Sequence, residues 1–183
     1  MNFFGRGNET VYDKSGNYKR YYRTRFAAYQ ADPALRWRWG RGSSVSIGPS
    51  LYFYRYDEND NKGRFISNTD QIGSYDSLTI DKNKLHLGLA TEYVQDKRNN
   101  IIIPQWGSYI RIRVQAYRGI GAYSASFGQL IPEVRVYKSL NAGSTIVLAD
   151  RLGGTLSVGK TAFYQSAFIG GEGTLLGYRQ FRF

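Results

Sequence analysis

Apolar and polar residues alternate with period two along most of this 183-residue chain, the pattern of strands whose successive side chains point to opposite faces. The alternation begins over residues 20–30, with Arg23 and Arg25 on one phase and Thr24, Phe26 and Ala28 on the other. Pro33 interrupts it, and a residue with no N–H to give marks a bulge or an edge position. Leu35, Trp37 and Trp39 then oppose Arg36 and Arg38, and Gly40-Arg41-Gly42 is a predicted turn. From Ser44 to Asp57, Val45, Ile47, Leu51 and Phe53 oppose Ser46, Gly48, Ser50, Tyr52 and Tyr54. Residues 57–83 are rich in Asp, Asn, Ser and Gly with no sustained period, which predicts a long exposed loop. Leu85, Leu87 and Leu89 restart the strand pattern up to Gln95, and Asp96 to Asn100 turns the chain. Three further strands are predicted over 109–119, 129–140 and 144–159.

No segment carries a helical period. Strands of about 10 residues suit a bilayer crossing, whereas soluble β-sandwiches have a modal strand of about 5–6. A sandwich also buries its apolar phase against a second sheet, so the alternation by itself admits both. No apolar run approaches the roughly 20 residues of a membrane-spanning helix, which leaves a closed sheet as the way this chain could cross lipid. The expected fold is all-β, an antiparallel transmembrane β-barrel meander. Its six or seven strands fall below the minimum of about 8, so an incomplete barrel is expected. The start, Met1 to Arg6, has no apolar core or small-residue cleavage site and is not a signal peptide.

The formal charge is +11, which raises nucleic-acid binding as a possibility. The arginines, however, sit on the polar phase of the strands. Arg23, Arg25, Arg36, Arg38, Arg111, Arg113 and Arg135 all oppose apolar neighbours, and in a barrel that phase faces the lumen. A basic lumen wall is therefore expected, with an ordinary solvated strand face as the plainer alternative. Neither a nucleic-acid-binding module nor a basic helix is present, so no nucleic-acid partner is expected. On this reading a charge placed at Ile112 is costly, while loss of the charge at Arg113 is not.

Candidate chemistry is sparse. The chain has no cysteine and one histidine, which rules out the common zinc sites. His86 has Glu92 and Asp96 downstream but no nucleophile at a strained turn. Asp57, Glu58, Asp60 and Asn61 could form a weak oxygen-ligand site, yet they lack the glycine turn and bidentate Glu of a calcium loop; a solvated polar loop is the expected role. No glycine pair sits between a strand and a helix, so phosphate cradling is not supported. Neither catalysis, a metal nor a cofactor is expected.

The most distinctive stretch is the last one, Gly170-Gly171-Glu172-Gly173-Thr174-Leu175-Leu176-Gly177-Tyr178-Arg179-Gln180-Phe181-Arg182-Phe183. Its glycines permit positive φ and close approach to another surface, and Tyr178, Arg179 and Arg182 can anchor a loop by stacking and forked hydrogen bonds. The stretch resembles the lumen loop of the BamA/TamA outer-membrane barrel superfamily (the bacterial surface antigen family), with Leu175-Leu176-Gly177-Tyr178 at the place of the family's Val/Leu-Arg-Gly-Phe/Tyr tip. The resemblance implies a bacterial outer-membrane protein that inserts β-barrel proteins into that membrane or translocates substrates across it. Its partners would be outer-membrane lipid, client outer-membrane proteins and other barrel or assembly subunits. The family's periplasmic POTRA domains are not among these residues.

Leu176 departs from the family pattern. In the family the arginine there seats the loop against acidic and aromatic wall residues, and leucine donates no hydrogen bond. Either Tyr178 and Arg179 take over the seating, or the loop is not seated. Asn2-Phe3-Phe4-Gly5-Arg6-Gly7-Asn8-Glu9-Thr10 resembles a turn-bearing segment of Bacteroidetes-type members. It favours an alternative in which the barrel anchors a fused lipase or metallophosphoesterase. A third reading is a soluble basic β-protein that binds an acidic partner.

Overall fold

The computed structural model of the chain describes residues 25–67 and 77–165. Among these, eight strands form one antiparallel sheet: β1 (Phe26–Ala31), β2 (Leu35–Trp39), β3 (Ser43–Tyr56), β4 (Lys84–Asp96), β5 (Gly107–Ile120), β6 (Phe127–Ser139), β7 (Val147–Gly153) and β8 (Leu156–Gly159). β1 and β2 both pair with β3, and β7 and β8 both pair with β6, while β3 to β6 follow one another as a meander. The eight segments are thus six ribbons. The sheet does not close among the described residues; β1–β2 form one edge and β7–β8 the other.

Both interruptions trace to proline. The register of β1 on β3, with Ala31 opposite Leu51, continues without offset into β2, with Leu35 opposite Ile47. Pro33 therefore faces Pro49, and neither can donate to the other. The interruption at Pro33 is an edge position and not a bulge. The predicted strand over 144–159 is likewise two strands in one register, Gly153 opposite Glu133 and Leu156 opposite Leu130. Gly154 donates to the Pro132 carbonyl at 3.2 Å, and Pro132 has no N–H to return the bond.

Every strand shows one face to each side. Leu35, Trp37, Ile47, Leu51, Leu87, Leu89, Val114, Val136, Leu152 and Leu156 share the outer face and remain exposed. Ser46, Ser50, Tyr54, Lys84, His86, Gln115, Tyr117 and Glu133 share the opposite face and are buried. No second sheet covers the apolar face among the described residues, which is the reverse of a sandwich and the arrangement of a sheet whose apolar face meets lipid.

The buried core lies on the inner face at one end. The loop after β3 is not simply an exposed polar connection. Asp57 caps a short helix, α1 (Glu58–Asn61), by accepting from Asp60 N at 3.1 Å. Ile66 and Ile80, within a stretch that carries no strand period, are buried with Tyr54, Ala162 and Tyr164. A single turn of 3-10 helix, Phe163–Gln165, follows β8 and lies against the same wall.

Candidate functional site: the charged inner face

The Arg113 guanidinium on β5 donates to Asp32 Oδ2 at 2.6 Å. Asp32 lies between β1 and β2, three strand spacings away across β4 and β3, about 14 Å in a flat sheet. The Tyr117 and Ser50 hydroxyls, on β5 and β3, lie 2.6 Å apart across β4. Ser50 in turn donates to Asp32. Such reach requires the sheet to curl toward this face, and it requires a low floor between the partners. Gly88 provides it: a Cβ there would stand 2.7 Å from Tyr117 Cδ1 and would collide with the Ala116 carbonyl.

The other arginines of the face find acids that the charge count obscures. Arg111 Nε donates to Glu92 Oε2 at 2.7 Å. Arg135 and Arg151 are direct register partners on β6 and β7, and like charges directly opposite destabilise a sheet. Glu133 lies between them and accepts from both, at 2.7 and 2.8 Å. Arg135 also lies over the Tyr109 ring, 5.2 Å from its centroid, and Arg98 over the same ring at 5.0 Å. Arg98 forks onto Asp96, Nε to Oδ1 at 2.9 Å and the second nitrogen to Oδ2 at 2.6 Å. These bonds hold its pKa above the ordinary arginine value.

Of the arginines predicted to form one wall, Arg36, Arg38, Arg111, Arg113 and Arg135 share the inner face by register. Arg36 and Arg38 are exposed at the β2 edge. Arg25 is not part of that wall. It precedes β1, is exposed, and bonds Asp60 at 2.9 Å in the loop after β3. Because the register runs unbroken past Pro33, Arg25 and Arg36, eleven positions apart, fall on opposite phases. Arg23 and the stretch holding Gly170, Gly171, Leu175, Leu176, Gly177, Tyr178, Arg179 and Arg182 lie outside the described residues.

The strand pattern alone does not pair the inner-face arginines with Asp32, Glu92 and Glu133, and it gives no role to Arg151 or to a ladder of amides. Gln115 donates to Gln129 at 2.5 Å, and Gln129 to the Gln165 carbonyl at 2.9 Å. With Gln30, Tyr52, Tyr117 and Tyr164 these glutamines line a cavity of about 290 Å³. The parity of Gln115 and Gln129 is visible in the sequence, but their pairing is not.

The turn after β8 is held by several groups. The Tyr164 ring stacks on Tyr54 with centroids 4.0 Å apart, Lys84 Nζ lies 5.7 Å from both rings, and the Gln165 amide approaches His86 Nε2 at 3.3 Å. The chain after β8 thus turns back over the inner face. The acidic stretch after β3 is also structural: Asn61 is fully buried, accepts from Arg25 N at 2.8 Å and donates to the Arg25 and Asp57 carbonyls. Among the described residues no cluster of His, Asp or Glu is disposed to hold a metal ion.

A curled antiparallel meander with an apolar outer face and a charged, hydrogen-bonded inner face defines a transmembrane β-barrel class of domain. The chain matches the family model of the Omp85 superfamily domain over residues 10–183 and belongs to that superfamily, the one associated with protein insertion and assembly at the outer membrane. No curated protein and no solved structure matches the chain.

Proposed function

We propose that this chain forms part of an outer-membrane barrel that inserts β-barrel proteins into that membrane or translocates substrates across it. Its outer face sits in outer-membrane lipid, and its client proteins and other assembly subunits are its partners. The observation that carries the reading is the family match across nearly the whole chain, joined to the segregation of an exposed apolar face from a buried charged one. Support also comes from the seated turn at Ala162–Gln165, which leads toward the Gly170–Phe183 motif. In this proposal the inner-face arginines line the lumen, and their acids keep the wall from being uniformly positive.

Depletion of the protein in its own bacterium tests this reading. The folded, heat-modifiable fraction of other outer-membrane barrels should fall, or a secreted substrate should accumulate inside the envelope. Unchanged assembly and unchanged export overturn the proposal. Complementation with Leu176→Arg then addresses the motif: a gain in assembly shows that seating of the tip limits activity, and an unchanged rate shows that Tyr178 and Arg179 suffice.

A further inference from the structure

The loop that joins β4 to β5 carries three consecutive isoleucines, Ile101, Ile102 and Ile103, exposed to 73%, 88% and 71%. Water alone gives no reason to display three such side chains at one tip. The loop is internally bonded. The Asn100 side-chain oxygen accepts from Ile102 N at 2.8 Å and Ile103 N at 3.1 Å. The Asn99 side-chain oxygen accepts from Gln105 N and Trp106 N at 2.9 and 3.2 Å, and Asn99 N donates to the Trp106 carbonyl at 3.1 Å. The Ile102 and Ile103 amides are therefore satisfied without water, which lowers the cost of bringing this part of the tip into the membrane boundary.

The surroundings are continuous with the lipid-facing surface. Trp106 is exposed just before β5, and Trp39 is exposed on the outer face of β2; tryptophan favours the membrane–water boundary. The neighbouring hairpin adds exposed Leu140, Ile146 and Leu148. Lys97, Lys138 and Arg41 stand at the same end of the sheet. The opposite end carries the long connection over residues 57–83. Barrels of this kind keep their longer loops outside and their shorter turns on the periplasmic side, so this end faces the periplasmic, phospholipid leaflet.

We propose that loop 97–106 is a membrane-interface anchor: Ile101, Ile102 and Ile103 enter the acyl boundary of the periplasmic-side phospholipid leaflet, and Lys97, Lys138 and Arg41 meet anionic headgroups. The anchor rests on the outer-membrane placement proposed above but not on the insertion activity. It holds one end of the β4–β5 hairpin at a fixed depth.

The chain has no cysteine, so single fluorophores can be placed in it by Ile102→Cys and, as a mid-span reference, Leu89→Cys. Bilayers of phosphatidylethanolamine and phosphatidylglycerol carrying acyl-chain nitroxides supply the lipid quencher, and iodide the aqueous one. The expected result is nitroxide quenching at both positions, shallow at 102 and deep at 89, with weak iodide quenching at 102. Changing Lys97 and Lys138 to Glu together should raise iodide access at 102 and leave 89 unchanged. Nitroxide quenching at 89 with free iodide access at 102 overturns the anchor while leaving the membrane placement intact. Protection at 102 from both quenchers, growing with protein density, overturns it in favour of a second copy of the chain. Failure of lipid quenching at 89 removes the membrane placement and the anchor with it.

Discussion

Arg113 and Asp32 form an ion pair at 2.6 Å although two complete strands lie between them. The pair requires a curled sheet, because two side chains can meet over β3 and β4 only if those strands bow outward. Its side chains are about one-fifth to one-quarter exposed, 21% and 27%, between the surface regime, where ion pairs contribute little, and the fully buried one.

Alternation alone predicts that Arg113→Gln is harmless, and the ion pair corrects this. Arg113→Gln and Asp32→Asn should each lower stability by about 1–3 kcal/mol, since each strands a partly buried charge. A double-mutant cycle in lipid vesicles should show that the two losses are not additive. Additive losses mean that the pair has no role in holding the curl.

Ile112 lies on the outer face between Tyr93 and Pro132 of the flanking strands. Ile112→Arg should cost about 2–4 kcal/mol near the bilayer midplane. Urea titration of the folded protein in vesicles measures it, and a loss no larger than that of Ile112→Ala removes lipid from this face.

Gly88 and Gly154 should respond oppositely to alanine. At Gly88 the new Cβ collides with the Ala116 backbone and the Tyr117 ring, whereas at Gly154 nothing lies within 4 Å. Gly88→Ala should lower stability by about 1–3 kcal/mol, the range for overpacking. Gly154→Ala should be tolerated. Equal responses at the two positions argue against a ring lying over β4.

Tyr54 is fully buried and stacks on Tyr164 at 4.0 Å. Tyr54→Ala should cost about 3–5 kcal/mol, as large aromatic truncations do. It should also expose residues 160–165 to protease at denaturant concentrations where β4 and β5 stay protected. Simultaneous loss of protection in all three segments shows that the turn has no stability of its own apart from the sheet.

Much of this was legible along the chain. Period-two alternation placed the six ribbons and assigned Leu35, Trp37, Ile47, Leu89 and Val114 to one face, because a strand's side-chain period fixes facing from sequence spacing alone. It also put Arg36, Arg38, Arg111, Arg113 and Arg135 together on the other. The terminal glycine motif indicated the superfamily that the family model then matched over residues 10–183.

What the tertiary structure decided was everything that depends on register and curvature. Arg25 and Arg36 look alike in an alternating pattern, yet a register that runs unbroken past Pro33 puts them on opposite phases. The contribution of Pro132 to the break between β7 and β8 appears only when Gly154 is set opposite it. Ile66 and Ile80 have no strand period to announce them and become core because the loop folds onto the wall at Tyr54 and Tyr164. Asp32, Glu92 and Glu133 are isolated acids in the sequence. Asp32 and Glu92 become partners of Arg113 and Arg111, and Arg151 joins Glu133, which already has Arg135 two positions away on its own strand, because sheet pairing and curl bring together charges that lie apart in the sequence. Spacing along one strand fixes which way a side chain points; what it meets is set by the strands beside it.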